Sequence, residues 1–235
     1  AKSYEMAKGI GGHKVNTASS NGLGVNTDVS KQQIKDLKAT ASRMGATGNI
    51  TTGNIQNAEK FARAFATSGV TVVSGLADGV DAIAHRTALE CGGKTIAIMG
   101  SGFEHIYPKG NYNLEREIEQ KGLVITEYKP TDLPSPWHYP VRNRIIAGLS
   151  NAVLITEASS KSGSLYTRDY CLEYGVDLYA IPGEITNFSS AGCNMIIKSC
   201  QASLATTADD ILERLNVVNK YNPVVRNLQL SFDEQ

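Results

Sequence analysis

The sequence predicts an α/β fold built on a doubly wound, mostly parallel sheet. Short apolar runs alternate along the chain with segments of helical periodicity, and strands separated by helices favour parallel pairing. Residues 70–86 combine a buried-strand pattern, a glycine turn and a helix start. This combination is typical of doubly wound sheets, whose ligands bind at the carboxyl ends of the strands. With 235 residues and 41% hydrophobic composition, the chain is long enough to form a sizeable core.

The order of apolar and amphipathic segments predicts the individual elements. The predicted strands are residues 70–75, 94–100, 123–128, 152–157 and 176–182. The predicted helices cover residues 30–44, the segment before Gly69, the segment that starts near residue 80, and residues 113–121, 142–149, 164–174, 194–200 and 209–215. The helix before Gly69 has an inward face made of Ala58, Phe61, Ala62, Phe65 and Ala66.

The two ends of the chain carry weaker patterns than its middle. Residues 1–28 are rich in Gly, Asn, Ser and Thr, and they contain no convincing strand or amphipathic helix. We therefore expect an N-terminal arm with one helix over residues 1–43, to which we assign no role. The main domain is expected over residues 44–215 and a polar tail over residues 216–235.

Charge and cysteine content exclude several classes of function. Lys+Arg and Asp+Glu both number 23, so no global positive field attracts duplex DNA, and any nucleic-acid site must be a local patch. The four cysteines show neither C-x-x-C spacing nor neighbouring histidines, which argues against zinc. The length of the chain argues against a small secreted disulfide framework. No apolar run reaches membrane length. We expect a protein of the reducing cytoplasm without a membrane partner.

Residues 134–150 concentrate binding chemistry at one predicted helix start. Prolines hold the approach extended, and Arg142, Asn143 and Arg144 are expected in the first helical turn. An arginine fork matches phosphate oxygens, and the rings of Trp137 and Tyr139 offer faces on which bases stack. The stretch is therefore typical of a platform for single-stranded nucleic acid. The alternative is that the arginines form ordinary salt bridges and the rings cover the core.

Two loops and one strand end add candidate phosphate contacts. The Gly/Thr/Asn loop over residues 44–54, with Thr47 and Asn49, has the composition of loops that offer backbone N–H groups to phosphate. Gly75 ends the first strong strand, where ligands of such sheets bind. A Ser/Gly-rich loop precedes the helix at residues 164–174, and helix N-termini attract anions. Its candidate residues are Lys161, Ser162, Gly163 and Ser164.

Asp81 and His85 lie four residues apart on one predicted helical face. Such a pair can perform acid–base chemistry. It is more often a helix-start carboxylate and a histidine with structural hydrogen bonds.

Several of these segments resemble, in order and spacing, the DNA-processing protein A family, also called DprA or Smf. The resemblance covers about residues 44–212. Its motifs are residues 73–85, 107–108, 139–150, 162–167, 182–183 and 190–194.

The resemblance implies an extended Rossmann-like domain that binds single-stranded DNA, without catalysis and without a cofactor. It also implies a homodimer, protection of incoming DNA and loading of a RecA-type recombinase during transformation or recombination. By position, Tyr139 is the stacking ring and residues 142–144 form the arginine motif. Residues 162–164 are the helix start that faces phosphate. We expect the dimer interface within residues 195–215, whose apolar residues could equally belong to the core.

One motif departs from the family pattern. Family members carry Gly-Ser/Thr-Arg in the first loop, whereas this chain has Ala46-Thr47-Gly48 followed by Asn49. One phosphate-binding arginine is thus missing, and we expect weaker DNA binding than is usual for the family.

Two other functions fit the same fold class. Phosphoribohydrolases that cleave nucleoside monophosphates have related sheets and glycine loops, but they need a Pro-Gly-Gly-x-Gly-Thr loop followed by a glutamate. Here the loop differs, and the glutamate, Glu173, comes late. A domain that binds a free nucleotide without turning it over remains a third interpretation.

Overall fold

A parallel sheet organises the part of the chain that the computed structural model describes, which comprises residues 14–17 and 52–221. The strands are β1 Lys14–Thr17, β2 Thr71–Ser74, β3 Thr95–Ile98, β4 Leu123–Ile125, β5 Ala152–Ile155, β6 Asp177–Ala180 and β7 Ser203–Leu204. They lie in the order β4-β3-β2-β1-β5-β6-β7, and every pairing is parallel. The predicted doubly wound, mostly parallel α/β fold is confirmed.

Helices connect the strands and cover both faces of the sheet. Their bounds are α1 Thr52–Thr67, α2 Val80–Glu90, α3 Tyr112–Lys121, α4 His138–Gly148, α5 Ser164–Tyr174, α6 Ala191–Lys198 and α7 Asp209–Leu212. Short 3₁₀ helices at Lys109–Asn111 and Phe188–Ser190 precede α3 and α6. Within the described ranges, no helix is both long and apolar enough to cross a membrane.

The strand order places a topological switch in the middle of the sheet. One half, β4-β3-β2, and the other, β5-β6-β7, flank the central strand β1. The direction of winding reverses between β1 and β5, and ligands of open α/β sheets bind in the crevice outside the carboxyl ends at such a point.

The expectation of no strand in residues 1–28 is wrong at Lys14–Thr17. This four-residue segment pairs with β2 on one side and β5 on the other, with Val15 opposite Val72 and Ala152. Lys-Val-Asn-Thr has no apolar run, so only its two neighbours define it as a strand. Strand β7 escaped prediction because its two residues are too few to show an apolar run. The helix predicted at residues 30–44 lies outside the described residues, and the domain boundaries at residues 44 and 215 stay predictions.

The core has two main parts because successive strand residues point to opposite faces. Leu154 of β5 packs in one cluster with α1 and α7, whereas Val153 and Ile155 pack in the other with α4, α5 and α6. The predicted inward face of α1 is confirmed. All five of its residues are buried, namely Ala58, Phe61, Ala62, Phe65 and Ala66.

Candidate functional site

The candidate residues of α4 and α5 converge on the carboxyl edge of the sheet. Each strand of a parallel sheet ends at the same edge, so the loops that follow β2, β3, β4 and β5 lie side by side there. Helix α4 brings Tyr139 and residues 142–144 against the ends of β2 and β3, and residues 162–164 follow β5. Thr47 and Asn49 lie outside the described residues.

Helix α4 begins earlier than the sequence predicted. Its first residue is His138, so Arg142, Asn143 and Arg144 lie in the second turn and not in the first. Pro140 therefore sits within the first turn. Proline is tolerated there because the first backbone N–H groups of a helix have no intrahelical acceptor. The prediction that these three residues lie in the first helical turn is therefore wrong.

Arg142 lies inside the protein. Only 4% of the residue is exposed, and its Nη1 contacts the backbone carbonyl oxygens of Gly75 and Ile98. The side chain thereby joins the ends of β2 and β3. Burial lowers the pKa of Arg142, and the charge of Asp81 acts in the opposite direction. A side chain at position 75 would collide with the guanidinium, so Gly75 is required where Arg142 approaches the backbone.

Asp81 and His85 are parts of the same buried region. Asp81 accepts hydrogen bonds from the Ser74 hydroxyl at 2.7 Å and from the Ala77 backbone N–H at 3.2 Å. His85 contacts Thr95 Oγ1 at 2.6 Å through Nδ1. The Thr95 hydroxyl itself donates to a backbone oxygen, so the histidine is the donor. These contacts hold β2 and β3 to α2, which favours the structural interpretation of the pair.

Tyr139 packs across the end of β3. Its ring lies so close to Gly100 that an added Cβ there would approach the ring to 2.9 Å. The Arg142 guanidinium carbon is 5.7 Å from the ring centroid, and the Tyr107 ring is 5.9 Å away. Burial is the main cause that raises the pKa of Tyr139 to about 12. The ring is therefore held in place on one side by backbone and on another by a buried cation.

A second set of rings continues from Tyr139 along α4. The His138 ring stacks on Tyr128 with centroids 4.0 Å apart, and its Nδ1 donates to Gly100 O at 3.0 Å. Trp137 packs edge-on against His138 at 4.7 Å and is 66% exposed. Together with Tyr107 and Tyr139, these three rings make a set of five that we call the aromatic shelf. It consists of Tyr107, Tyr128, Trp137, His138 and Tyr139.

The sequence indicated only part of the aromatic shelf. Tyr128 and His138 were not predicted as site residues, although each lies in a loop or helix start beside a strand end. Their position after a strand could have indicated both residues, since β4 ends at Ile125 and α4 begins at His138. Two backbone hydrogen bonds join the loops after β3 and β4, from Gly102 N to Asp132 O at 2.9 Å and from Glu104 N to Pro130 O at 3.0 Å. The two loops that carry Tyr107 and Tyr128 are therefore joined to each other by backbone hydrogen bonds.

Arg144 points to the opposite side of α4 from Arg142. It forms an ion pair with Glu127, which follows β4, and the two side chains are 41% and 39% exposed. Asn143 between the arginines is half-buried. Glu127 was not predicted as a site residue. Arg144 is thus the arginine of this motif whose charge is accessible to solvent.

The start of α5 combines a buried and an exposed part. The hydroxyl oxygens of Ser162 and Ser164 are 3.1 Å apart, and the Ser164 backbone N–H donates to Ser162 Oγ at 3.3 Å. Ser164 is fully buried, and Lys161 is exposed. Gly163 immediately precedes the helix in a right-handed helical conformation. Lys161 is therefore the accessible cation at this helix start.

The α4 and α5 contributions occupy neighbouring parts of one edge. Tyr139 covers the end of β3, and residues 162–164 follow β5, with β2 and β1 between them. Three strand spacings of about 4.8 Å separate these strands by roughly 14 Å. Glu173, by contrast, lies in the last turn of α5, at the opposite edge. Glu173 is therefore distant from the loop at residues 162–167, which a phosphoribohydrolase would need close to its glutamate.

Comparisons with known proteins identify related chains. A family model described as DNA recombination-mediator protein A matches residues 33–216. Over 143 residues the chain is 46% identical to the DNA processing protein DprA of Streptococcus pneumoniae. The matched region covers 61% of this chain and 50% of that protein. Over 157 residues it is 43% identical to protein Smf of Escherichia coli, covering 66% of this chain and 41% of the relative. The chain thus spans about half the length, or less, of these relatives.

A solved structure agrees with the sequence comparison. It is that of DNA processing protein A from Helicobacter pylori, reported with that protein's single-stranded DNA binding mode. The two chains share 26% identity and superpose with a TM-score of 0.68, over 87% of this chain and 80% of the other.

Proposed function

The chain belongs to the DNA recombination-mediator protein A family, also called DprA or Smf, and from that membership we propose that it binds single-stranded DNA along the carboxyl edge of its sheet. The Helicobacter pylori relative, whose reported binding mode is for single-stranded DNA, supports this substrate. The aromatic shelf is the observation in this chain that carries the proposal.

The shelf favours unpaired bases over a duplex. Trp137 is mostly exposed and contacts the protein edge-on through His138, so much of its ring surface is accessible to a base. Stacking on aromatic rings tolerates any base but requires that the base be unpaired. The balanced charge of the chain provides no strong general attraction to duplex DNA. We expect little sequence preference and weaker binding to duplex.

Each candidate residue has a distinct role in the proposed site. Tyr139 stacks with a base at the end of β3, and Arg144 contacts phosphate beside it. At the start of α5, Lys161 and the backbone around residues 162–164 receive a second phosphate. Asn143, one helical turn after Tyr139, donates a hydrogen bond to the DNA strand. Thr47 and Asn49 supply backbone contacts from the first loop.

Arg142 and Gly75 support the site from beneath. A direct phosphate contact by Arg142 would require its guanidinium to leave the carbonyl oxygens of Gly75 and Ile98. We therefore propose that Arg142 positions Tyr139, whose ring it contacts, and that Arg144 replaces it as the main phosphate ligand of α4.

Family membership extends the proposal to biological context. We propose that the chain acts in the cytoplasm as a homodimer, protects incoming DNA and delivers it to a RecA-type recombinase in transformation or recombination. We propose no catalytic activity and no cofactor. Light scattering tests the dimer: a monomer mass at micromolar concentration would contradict it.

Binding of labelled oligothymidine, compared with a blunt duplex of the same length, tests the central proposal. Trp137 is the single tryptophan of the chain, so its fluorescence reports directly on the shelf. We expect quenching on addition of the strand and tighter binding of the strand than of the duplex. Equal affinity for the two would refute the proposal.

An exposed tyrosine provides a matched control. Tyr174 is exposed at the end of α5, at the other edge of the sheet. Tyr174→Ala should leave strand affinity unchanged, whereas Trp137→Ala should lower it. If both variants bind alike, the aromatic shelf is not part of the site.

A further inference from the structure

The ion pair between Arg144 and Glu127 lies within the proposed strand-binding site. We propose that Glu127 neutralises Arg144 in the free protein and that a DNA phosphate takes its place when the strand binds. Glu127 is then a residue that sets the affinity of the site. This inference rests on the proposed function, and it adds a competitor for the phosphate that neither the family nor the sequence pattern assigns.

The exposure of the pair makes the exchange feasible. Both side chains are about two-fifths exposed, so solvent screens their attraction and the pair is held weakly. A DNA phosphodiester carries one negative charge, as a carboxylate does, and its two non-bridging oxygens match the donor fork of an arginine. Arg144 can therefore exchange one anion for another without moving its backbone.

The surroundings concentrate charge at this point. Tyr128 follows Glu127 directly and stacks on His138 within the aromatic shelf. Burial raises the pKa of Tyr128, the charge of Glu127 raises it further, and Arg142 and Arg144 act in the opposite direction. The carboxylate and both arginines thus lie within electrostatic reach of one ring of the shelf. In the proposed site, the phosphate that contacts Arg144 therefore lies close to Glu127.

Glu127 opposes binding in two ways. It occupies the arginine in the free protein, and its negative charge repels the incoming phosphate. Both effects are Coulombic, so added salt weakens both of them. The competition should be strongest at low ionic strength.

Glu127→Gln removes the competing charge while keeping the size and polarity of the side chain. We expect this variant to bind labelled oligothymidine about two- to fivefold more tightly than the parental chain at roughly 50 mM salt, the range for breaking one exposed ion pair. The gain should shrink toward roughly 200 mM salt. Measurements across this range give the slope of log affinity against log salt, which should be steeper for the variant.

Glu119→Gln is the matched control. Glu119 forms an ion pair with Arg116 at 2.7 Å and is 55% exposed, so the substitution removes the same charge from the same kind of contact. It lies in the last turns of α3, at the opposite edge of the sheet from the aromatic shelf. We expect this variant to bind like the parental chain.

The Arg144→Ala background tests whether the effect acts through Arg144. Adding Glu127→Gln there should give only a small gain, because no arginine remains to be released. Thermal unfolding of each variant verifies the fold, which an exposed Glu→Gln change should preserve.

The outcomes separate this inference from the proposed function. If the parental chain binds the strand and Glu127→Gln matches Glu119→Gln, the exchange is refuted while strand binding stands. Weaker binding by Glu127→Gln also refutes the exchange, because Glu127 would then hold Arg144 in its binding position. No strand binding by any of the chains refutes the proposed function and the exchange with it.

Discussion

Two arginines that are two residues apart on α4 meet opposite environments. Arg142 points inward and contacts the backbone oxygens of Gly75 and Ile98, whereas Arg144 points outward to Glu127. The difference follows from helical geometry, since residues two apart point to nearly opposite sides. The inner arginine joins strand ends, and the outer one is available to a ligand.

The comparison shows that two arginines of one motif can have different surroundings, from which we expect different roles. A buried cation surrounded by carbonyl oxygens stabilises the platform, and its loss is expected to act on folding. A surface cation is expected to act on binding, with little effect on folding. The variants below test this division between the two sides of α4.

The largest effect is expected for Arg142→Met. The substitution removes the arginine donor from two backbone carbonyl groups and also the charge that offsets Asp81. We expect the free energy of unfolding to fall by about 2–5 kcal/mol, measured by urea denaturation. Arg144→Met is the matched control and should change stability by less than about 1 kcal/mol. Similar losses for both variants would contradict the division.

The buried region that contains Arg142 can also be tested through the pH dependence of stability, because His85 lies in it. Burial is the main cause that lowers the pKa of His85 to about 3 from its ordinary 6.5. Between these values the unfolded chain binds a proton that the folded chain does not, so stability rises with pH and falls on acidification. One such group contributes a slope of up to about 1.4 kcal/mol per pH unit.

His85→Asn isolates this contribution because asparagine retains a donor N–H near the position of Nδ1. We expect urea denaturation between pH 4 and 6 to give a shallower dependence of stability on pH for the variant. Identical pH dependence in the two proteins would show that the buried imidazole does not resist protonation.

Tyr139→Ala tests the stacking surface. Loss of a stacked base should weaken oligothymidine binding by roughly 1–3 kcal/mol while leaving the salt slope nearly unchanged, because no phosphate contact is lost. Fluorescence anisotropy at several salt concentrations measures both quantities. A changed slope with little loss of affinity would mean that the ring does not contact a base.

The smallest effect is expected for Arg144→Ala. Removal of one phosphate contact should make the slope of log affinity against log salt shallower by about 0.7 for a single strand. The same titrations measure this change. Arg116→Ala, which removes an exposed arginine of α3, is the control and should keep the parental slope. A parental slope for Arg144→Ala would place the phosphate contacts elsewhere.

The sequence by itself determined the layers of the fold and predicted the location of the candidate site. Apolar runs predicted β2 to β6, and the spacing of Phe61 and Phe65 predicted the buried face of α1, because these patterns depend on local periodicity. The motifs at residues 139–150 and 162–167, in combination with four others along the chain, indicated the family. Parallel connectivity then placed both motifs at one edge of the sheet.

Only the tertiary structure decided the identity of β1 and the different environments of Arg142 and Arg144. Lys14–Thr17 has too few apolar residues to be recognised as a strand, and it becomes one by pairing with β2 and β5. Likewise, the start of α4 at His138 sets which side of the helix faces the strand ends. Periodicity shows that two residues point apart, but which of them is buried depends on the elements against which the helix packs.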